Sequence, residues 1–303
     1  MIDILIRAGC FIGIILLGYL LKKVGYFKES DFDVLSKITV RITLPAAIIS
    51  SMAGREISLD MMVIPLIALL GGILYMAIGF VINLKNSRAQ RAFDVLNLPG
   101  YNIGNFTLPF VQSFLGPVGV LTTSLFDVGN VVICIGGAYS IASMIKYGRG
   151  FSLKLLGKAL ITSVPLMCHL IMVTLNLLGV ALPAPVLSFA EIIGAANPFI
   201  AMLMIGIGFK LSANRTQLGA VARILLLRYG IAAILAVCCY YLLPFPAEMR
   251  ITLAVLLFSP IGSVVPAFTS ELKEDVGLSS AINSISIICS LVIMVTLLTV
   301  MLP

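Results

Sequence analysis

The chain has 303 residues, of which 60% are hydrophobic and only 11% are charged, and its mean hydropathy is +1.13. A soluble domain is about 25% charged, so this composition excludes an ordinary soluble fold and predicts an integral membrane protein. The formal net charge is +7, but the basic residues lie in links between apolar runs, which favours membrane topology over nucleic-acid binding as their explanation.

Ten apolar runs follow one another along the chain, and each is long enough for a membrane-spanning helix of about 20 residues. We number them segments 1 to 10; they cover residues 4–21, 34–53, 61–84, 94–115, 117–145, 153–179, 185–209, 217–243, 249–270 and 279–302. The runs are too long and too continuous for the alternating strands of a β-barrel. The predicted fold is therefore an all-α membrane protein with ten transmembrane helices.

Basic residues are concentrated in alternate links, which predicts the orientation of the chain. The links after segments 1, 3, 5 and 7 carry Lys22, Lys23, Lys28, Lys85, Arg88, Arg91, Lys146, Arg149, Lys154, Lys158, Lys210 and Arg215. Because basic links stay in the cytoplasm, we expect both termini outside it, in a multi-pass protein of the plasma membrane. The exception is the link at 271–275, which is cytoplasmic by parity although it is net acidic.

Two sequence matches predict an inverted repeat of five segments each. Segment 2 contains Pro45 before an apolar run, and segment 7 contains Pro198 in the same setting, 153 residues later. Segments 4 and 9 contain Gly104 and Gly262, and each of these precedes the glycine of a Val-Gly pair by 15 residues. An odd number of spans places the two halves in opposite orientations. The predicted organisation is a first repeat over 1–145, a cytoplasmic linker at 146–152 and a second, inverted repeat over 153–303.

Segments 4 and 9 are interrupted by glycine and proline at matching places. An unpaired peptide group in hydrocarbon is costly, so a broken helix survives only where protein or a water-filled cavity covers the gap. Matched interruptions in two inverted halves are the best sequence indication of a transporter's binding site. The predicted substrate-binding residues are Asn102, Gly104, Asn105, Thr107 and Pro109 in segment 4, and Pro260, Gly262, Ser263 and Pro266 in segment 9.

We expect this site to bind an anion. Two half-helix N-termini that face each other present backbone N–H groups and positive dipole ends, which suit a carboxylate. The alternative is that the prolines only kink packed helices, and that asparagine and serine side chains satisfy the freed peptide groups.

The motifs resemble those of the auxin efflux carrier family, which comprises the plant PIN-type exporters and their bacterial relatives. The stretch from Asn102 to Pro109 resembles that family's N-x-G-x-x-x-x-P segment, and Leu44-Pro45-Ala46 resembles its second helix. Phe126-Asp127-Val128-Gly129-Asn130 is similar to its fifth-helix pattern. The sequence departs from the family pattern at Asn105 and Thr107, where an apolar residue and a glycine are expected.

The resemblance implies a helix crossover at the two interruptions. It also implies an elevator-type motion, in which a transport domain of segments 3–5 and 8–10 moves against a scaffold of segments 1, 2, 6 and 7. Family substrates include auxin, malate and malonate, all of them carboxylates, and the resemblance is compatible with a homodimer.

Three further polar residues inside the segments are predicted to serve coupling or support. Asp127 and Asn130 lie three apart on one face of segment 5, and an acid at membrane depth usually faces a cavity or a partner. Asp127 is expected either to carry a coupling proton or to hold segment 4 in place. Arg41 either continues a cytoplasmic salt-bridged stripe with Asp33 and Lys37 or contacts a substrate carboxylate.

The sequence contains no phosphate-binding loop, no HExxH and no GxSxG motif, so we expect neither an enzyme nor a cofactor or metal. Without an ATP site, the driving force is a gradient, an ion such as a proton or sodium, or the substrate itself. The predicted function is a secondary transporter for a small organic anion. Its expected partners are that anion and the lipid bilayer, and no nucleic acid. The alternative is a sodium-coupled symporter of the bile-acid type, which shares the crossover plan; a channel or an intramembrane enzyme fits less well.

Overall fold

The computed structural model describes residues 2–148, 153–209 and 217–302, and all regular structure within these ranges is helical. In the first half the helices are Ile2–Lys23, Asp31–Ile38, Thr39–Thr43, Leu44–Met52, Leu59–Met62, Val63–Val81, Arg88–Asn97, Ile103–Thr107, Leu108–Phe114, Gly116–Val132, Ile133–Gly137 and Ala138–Tyr147. In the second half they are Leu153–Thr162, Val164–Leu177, Ala184–Ala195, Asn197–Gly208, Leu218–Leu242, Ala247–Leu256, Val265–Glu271 and Val276–Met301. The predicted all-α membrane protein is confirmed at this level.

Six helices in the described ranges are long and apolar enough to cross a membrane, and a seventh span is added if the bent pair at 156–177 is counted as one. The six are Ile4–Lys23, Leu59–Val81, Gly116–Tyr147, Ala184–Gly208, Leu218–Leu242 and Val276–Met301. The difference from the ten predicted runs concerns segments 2, 4 and 9, which are helical but divided into shorter pieces. Segment 6 is the bent pair, with an angle of 71° between its halves.

Segment 5 lies at the centre of the molecule and segment 1 at its periphery. In the apolar window of segment 5, 72% of the residues are buried, against 17% in segment 1. Segment 3 approaches segment 5 so closely at Gly129 that a Cβ atom there would lie 1.9 Å from the carbonyl oxygen of Pro65. Segments 1 and 7 meet in the same way at Gly206, beside the carbonyl oxygen of Ile15. Small residues at such points let helix backbones approach closely, as is typical of membrane helix packing.

The helices pack in two groups. Segment 1 packs on segment 7, and segment 2 packs on segments 6 and 7. Segments 3, 4 and 5 pack on one another, segments 8, 9 and 10 do the same, and segment 9 also packs on segment 5. The two groups meet where segment 2 and segment 6 contact segment 5, where segment 7 contacts segment 4, and where segment 1 contacts segment 10.

Polar contacts place the acidic link after segment 9 beside the basic links. Lys146, at the end of segment 5, forms an ion pair with Glu274 (Nζ to Oε1, 2.5 Å) and donates a hydrogen bond to the carbonyl of Leu272 (2.6 Å). Gln217, at the start of segment 8, donates to Asp275 (2.8 Å). The link after segment 9 therefore lies on the same face as the links after segments 5 and 7, where parity places it.

Other hydrogen bonds also join links that are predicted to lie on the same side of the membrane. Lys22, after segment 1, donates to the carbonyl of Phe209, after segment 7 (2.7 Å). At the other ends of the segments, Asn176 donates to the carbonyl of Met52 (2.7 Å), which joins the links after segments 6 and 2. Most of the predicted linker at 146–152 lies outside the described residues, as do the basic residues Arg149, Lys210 and Arg215.

Candidate functional site

The interruption of segment 4 covers residues 98–102, which are not helical. Pro99 has no N–H to donate, and Gly100 has a φ of +78°, so the first half-helix ends at Asn97. The chain becomes helical again at Ile103 with a π-helical turn that leads into Leu108–Phe114. Pro109 lies at the start of this α-helical stretch rather than in the gap.

The interruption of segment 9 covers residues 257–264 and crosses that of segment 4. The backbone N–H of Asn102 donates to the carbonyl of Pro260 (2.9 Å). Asn105 Nδ2 donates to Ser263 Oγ (3.0 Å), and these two residues are 158 positions apart in the chain. The two interruptions that the sequence matched therefore contact each other directly.

A pair of hydroxyl groups also joins segments 4 and 9 at the crossover. Thr107 Oγ1 donates to Ser259 Oγ (2.7 Å) and also lies 3.1 Å from the carbonyl of Asn102. Ser259 in turn donates to the carbonyl of Leu256, the last residue of the half-helix before the gap. Thr107 and Ser259 are both fully buried, so they serve the packing of the crossover and do not line a cavity.

Asn130 holds the unpaired peptide groups of the gap in segment 4. Its Oδ1 accepts from the N–H of Tyr101 (2.9 Å), and its Nδ2 donates to the carbonyl of Tyr101 (2.9 Å) and to Asp127 Oδ1 (2.9 Å). One amide side chain thus contacts both backbone groups of a non-helical residue, and Asp127 orients that amide. The carbonyl of Tyr101 also accepts from the N–H of Ile103 (2.9 Å). Asp127 thus contacts the gap in segment 4 through Asn130, and both alternatives predicted for Asp127, support and proton coupling, stay predictions.

Segment 10 supports the gap in segment 9 in the same manner. Asn283 Nδ2 donates to the carbonyl of Ile261 (2.8 Å), and Ser286 Oγ accepts from the N–H of Ile261 (3.1 Å). Asn283 lies 153 residues after Asn130, the offset that relates Pro45 to Pro198. Asn283 was not among the site residues predicted from the sequence, although this offset would have found it.

Arg228, in the middle of segment 8, was also missed. Its guanidinium donates to the carbonyls of Leu98 (2.5 Å), Gly100 (2.9 Å) and Ser259 (3.0 Å), and lies 3.4 Å from that of Pro260. The carbon of the guanidinium lies 5.5 Å and 4.9 Å from the ring centroids of two tyrosines, Tyr75 and Tyr101. Both interruptions are therefore joined to one cation, and an arginine within an apolar run was the signal that could have indicated it.

A buried carboxylate ties the first half of segment 4 to segment 8. Asp94 has 0% exposure and accepts from both terminal nitrogens of Arg223 (2.6 and 2.9 Å). Asn83 and Gln90 donate to the same carboxylate (2.7 and 2.9 Å). This bidentate pair fixes the half-helix whose end forms the crossover.

Two cavities meet at the crossover and share Asn102, Asn105 and Ser263. The first has a volume of about 440 Å³, and its other polar lining residues are Glu29, Ser30, Asp33, Ser280, Asn283 and Ser284. The second has a volume of about 410 Å³, and its other polar lining residues include Arg41, Asp127, Asn130, Thr162 and Ser163. Each cavity lies between the two groups of packed helices.

Most of the predicted site residues line these cavities. Those that do are Asn102, Gly104, Asn105, Gly262, Ser263, Pro266, Asp127, Asn130 and Arg41. Thr107 and Pro260 form the crossover itself, and Pro109 lies in the half-helix beyond it. Among the described residues, no group of three or more histidine, cysteine, aspartate or glutamate side chains is placed to hold a metal ion.

The charges of the two cavities differ. Glu29 and Asp33 lie at the first cavity, beside the link after segment 1, whereas Arg41 lies at the second cavity. The half-helix that begins at Ile103 starts at the second cavity, so its positive dipole end adds to the charge of Arg41. The second cavity also contains Asp127, so its two charged side chains are of opposite sign, whereas both charged side chains of the first cavity are acidic.

Comparison with known proteins gives two matches. Residues 11–149 match the family described as membrane transport protein. Over 284 residues the chain is 24% identical to a protein described as an uncharacterized transporter of Methanothermobacter thermautotrophicus, and the alignment covers 92% of this chain and 92% of the relative. A transport function and a multi-pass membrane protein follow from these matches and from the apolar helices.

Proposed function

We propose that this chain is a secondary transporter that binds a small organic anion at the crossover of segments 4 and 9. The two matches confirm the resemblance of the chain to the auxin efflux carrier family. The observation that carries the proposal is the convergence of two cavities on Asn102, Asn105 and Ser263. Two broken helices that cross beside a cavity are the arrangement by which secondary transporters build a binding site at membrane depth.

The full proposal places ten membrane crossings in two inverted repeats. Four hydrogen bonds support it because each joins residues separated by nearly the same distance in sequence. The pairs are Thr43 with Asn197, Tyr75 with the carbonyl of Arg228, Asn105 with Ser263 and Thr107 with Ser259, with separations of 154, 153, 158 and 152 residues. In two repeats related by a two-fold axis, residues on that axis contact their own counterparts.

The pattern of helix packing also supports the repeat. Suppose that segments 1–5 correspond to segments 6–10 in that order. A contact between segments 1 and 7 then requires a contact between segments 6 and 2. Likewise, a contact between segments 5 and 6 requires a contact between segments 10 and 1. Both pairs of contacts occur. The proposed repeats are 1–145 and 153–303 with the linker at 146–152, and the match to the transport family ends at residue 149, within that linker.

The proposed mechanism is alternating access by an elevator-type motion. Segments 3–5 and 8–10 form the transport domain and segments 1, 2, 6 and 7 the scaffold, which is the grouping of the observed packing. The first cavity is lined by the link after segment 1, by the beginning of segment 10 and by the end of segment 7. These parts adjoin links with predicted cytoplasmic positions, so the conformation described is open to the inside.

The proposed substrate is a mono- or dicarboxylate that occupies the second cavity. A volume of about 410 Å³ suits a small molecule, because ligand cavities begin at about 300 Å³. Arg41 and the helix end at Ile103 attract the carboxylate, and Asn102, Asn105 and Ser263 offer donors for its orientation. Asp127 lies in the same cavity, and an anion is tolerated beside it when Asp127 is protonated. Asp127 is therefore the proposed site of proton coupling.

The proposal is tested by transport of radiolabelled malate or malonate into liposomes that contain the purified protein. We expect Asn102→Ala and Pro266→Ala each to reduce uptake, since both residues line the cavities at the crossover. Thr296→Ala is the matched control, because Thr296 is exposed on the outside of segment 10 and donates only to Val292 of its own helix. Unchanged uptake in both site variants would overturn the site assignment.

The second candidate is a sodium-coupled symporter of the bile-acid type. The first cavity favours it, since hydroxyl and amide groups and the carboxylates of Glu29 and Asp33 line that cavity. Uptake that requires sodium in the liposome assay would support this candidate over proton coupling. Uptake that is unchanged when sodium is replaced by potassium would exclude it.

A further inference from the structure

Arg228 is a buried cation that the binding site proposed above does not use. Its exposure is 0%, and a charge at membrane depth is costly unless other groups compensate it. In the described part of the chain its contacts are with backbone carbonyls and the rings of Tyr75 and Tyr101, and none of them is with a carboxylate. Its charge therefore has to be balanced by backbone dipoles.

The carbonyls that Arg228 contacts follow the ends of two half-helices. Leu98 and Gly100 come after the half-helix that ends at Asn97, and Ser259 comes after the half-helix that ends at Leu256. Each helix C-terminus carries about half an elementary negative charge. Two such ends together carry about one negative charge, which balances the single positive charge of the guanidinium.

The same arrangement of groups is a cation site in other broken-helix transporters. Unwound backbone carbonyls and the C-terminal ends of half-helices coordinate Na⁺ or a proton in such proteins. Here those positions are already occupied by nitrogens of Arg228 at 2.5–3.0 Å. We propose that Arg228 is a tethered cation that takes the place of a metal ion at the crossover, so that the site is assembled without sodium.

The surroundings of Arg228 favour a fixed guanidinium over a mobile ion. The rings of Tyr75 and Tyr101 pack against the guanidinium, and Tyr75 also donates to the carbonyl of Arg228 itself (3.0 Å). Both tyrosines are buried, so water has little access to the carbonyls. A planar group with several donors can reach carbonyls of both interruptions at once, which a single ammonium group of lysine does less well.

The experiment measures thermal unfolding of the protein in lipid nanodiscs in NaCl, LiCl, KCl or N-methyl-D-glucamine chloride at equal ionic strength. We expect the wild-type melting temperature to be the same in all four salts. Arg228→Ala should melt at a lower temperature, and its melting temperature should rise with the concentration of NaCl or LiCl, because a small cation then binds the vacated carbonyls. Arg228→Gln, which removes the charge but retains amide donors, should show the same salt dependence with a smaller loss.

A matched control separates this role from ordinary packing. Arg250 also donates to a backbone carbonyl, that of Tyr240 (2.9 Å), but lies outside the crossover. Arg250→Ala should therefore change the melting temperature without any specific effect of sodium. Hydrogen exchange at residues 98–102 and 257–264 provides a local measurement: it should be faster in Arg228→Ala and slow again when sodium is added.

Two results would overturn the inference. One is a melting temperature of Arg228→Ala and Arg228→Gln that is lower but independent of the cation, which would leave Arg228 a structural role only. The other is a wild-type protein that sodium stabilises. These measurements need no substrate, so they stand even if the proposed substrate class is wrong.

The transport measurement rests on the proposed function. Arg228→Ala should lower anion uptake on the order of 10- to 100-fold, the size of effect typical of residues that orient the ligands of a metal site. Sodium should restore part of this uptake in Arg228→Ala and have no effect on the wild type. A wild type that moves no organic anion would refute the proposed function, whereas the unfolding measurements would still decide the role of Arg228.

Discussion

The two asparagines that hold the interruptions should differ in their contribution to stability. Asn130 pairs with both backbone groups of Tyr101, whereas Asn283 pairs mainly with the carbonyl of Ile261, whose N–H is held by Ser286. Asn130→Ala therefore leaves two buried groups without their partner, the N–H of Tyr101 and the carboxyl group of Asp127, because the carbonyl of Tyr101 still accepts from the N–H of Ile103 (2.9 Å). Asn283→Ala leaves one, the carbonyl of Ile261. Each unpaired buried group costs about 1–3 kcal/mol, so we expect losses of about 2–6 kcal/mol and about 1–3 kcal/mol in the free energy of unfolding.

The assay is reversible unfolding by SDS titration in mixed micelles, followed by loss of helical circular dichroism. The double variant is informative because both asparagines support the same crossover. Its loss should be smaller than the sum of the two single losses, since a crossover opened on one side no longer depends fully on the other. A loss for Asn283→Ala equal to or larger than that for Asn130→Ala would refute the reasoning from the number of buried groups left without a partner.

Three further predictions concern close packing, a buried ion pair and coupling. Gly206→Ala should destabilise the protein in the same SDS titration, because the new Cβ would lie 2.1 Å from the carbonyl oxygen of Ile15. Gly230→Ala is the control and should be neutral or stabilising, because no atom lies within 4 Å of a Cβ at that position. Arg223→Ala should lower the free energy of unfolding by about 3 kcal/mol, which is the low end for breaking a buried ion pair, because the Arg223 side chain is 38% exposed. The double variant Arg223→Ala with Asp94→Asn should recover part of that loss, because it no longer buries an unpaired carboxylate. Asp127→Asn should abolish any dependence of anion uptake on a proton gradient in liposomes; a persisting dependence would contradict the proposed coupling role.

The sequence was sufficient for the features that depend on local chemistry. A charged fraction of 11% and long apolar runs require a membrane, and glycine and proline within two of those runs require interrupted helices. The contact between Asn105 and Ser263 follows the matched positions of the interruptions. Asp127 and Asn130 were recognised because an acid and an amide at membrane depth need partners, whatever the fold.

Not every proline marks an interruption, which periodicity alone cannot reveal. Pro109 lies at the start of an α-helical stretch that follows a π-helical turn, and Pro45 has the same position after Thr39–Thr43. Proline is tolerated in the first turn of a helix because its missing N–H has no partner to lose there. Whether a proline breaks or begins a helix depends on the preceding turn, and that turn is set by packing.

Only the tertiary structure identified the groups that compensate the interruptions. Arg228 lies about 130 residues from Leu98 in the chain, and Asp94 lies 129 residues from Arg223, so no local pattern joins them. The sequence by itself determined that peptide groups would be left unpaired at segments 4 and 9, because that follows from the residues present. The side chains that reach those groups come from segments 5, 8 and 10, and only the tertiary structure brings these segments close. Hydrogen bonds and charge compensation depend on distances of a few ångströms, which only the packed fold sets.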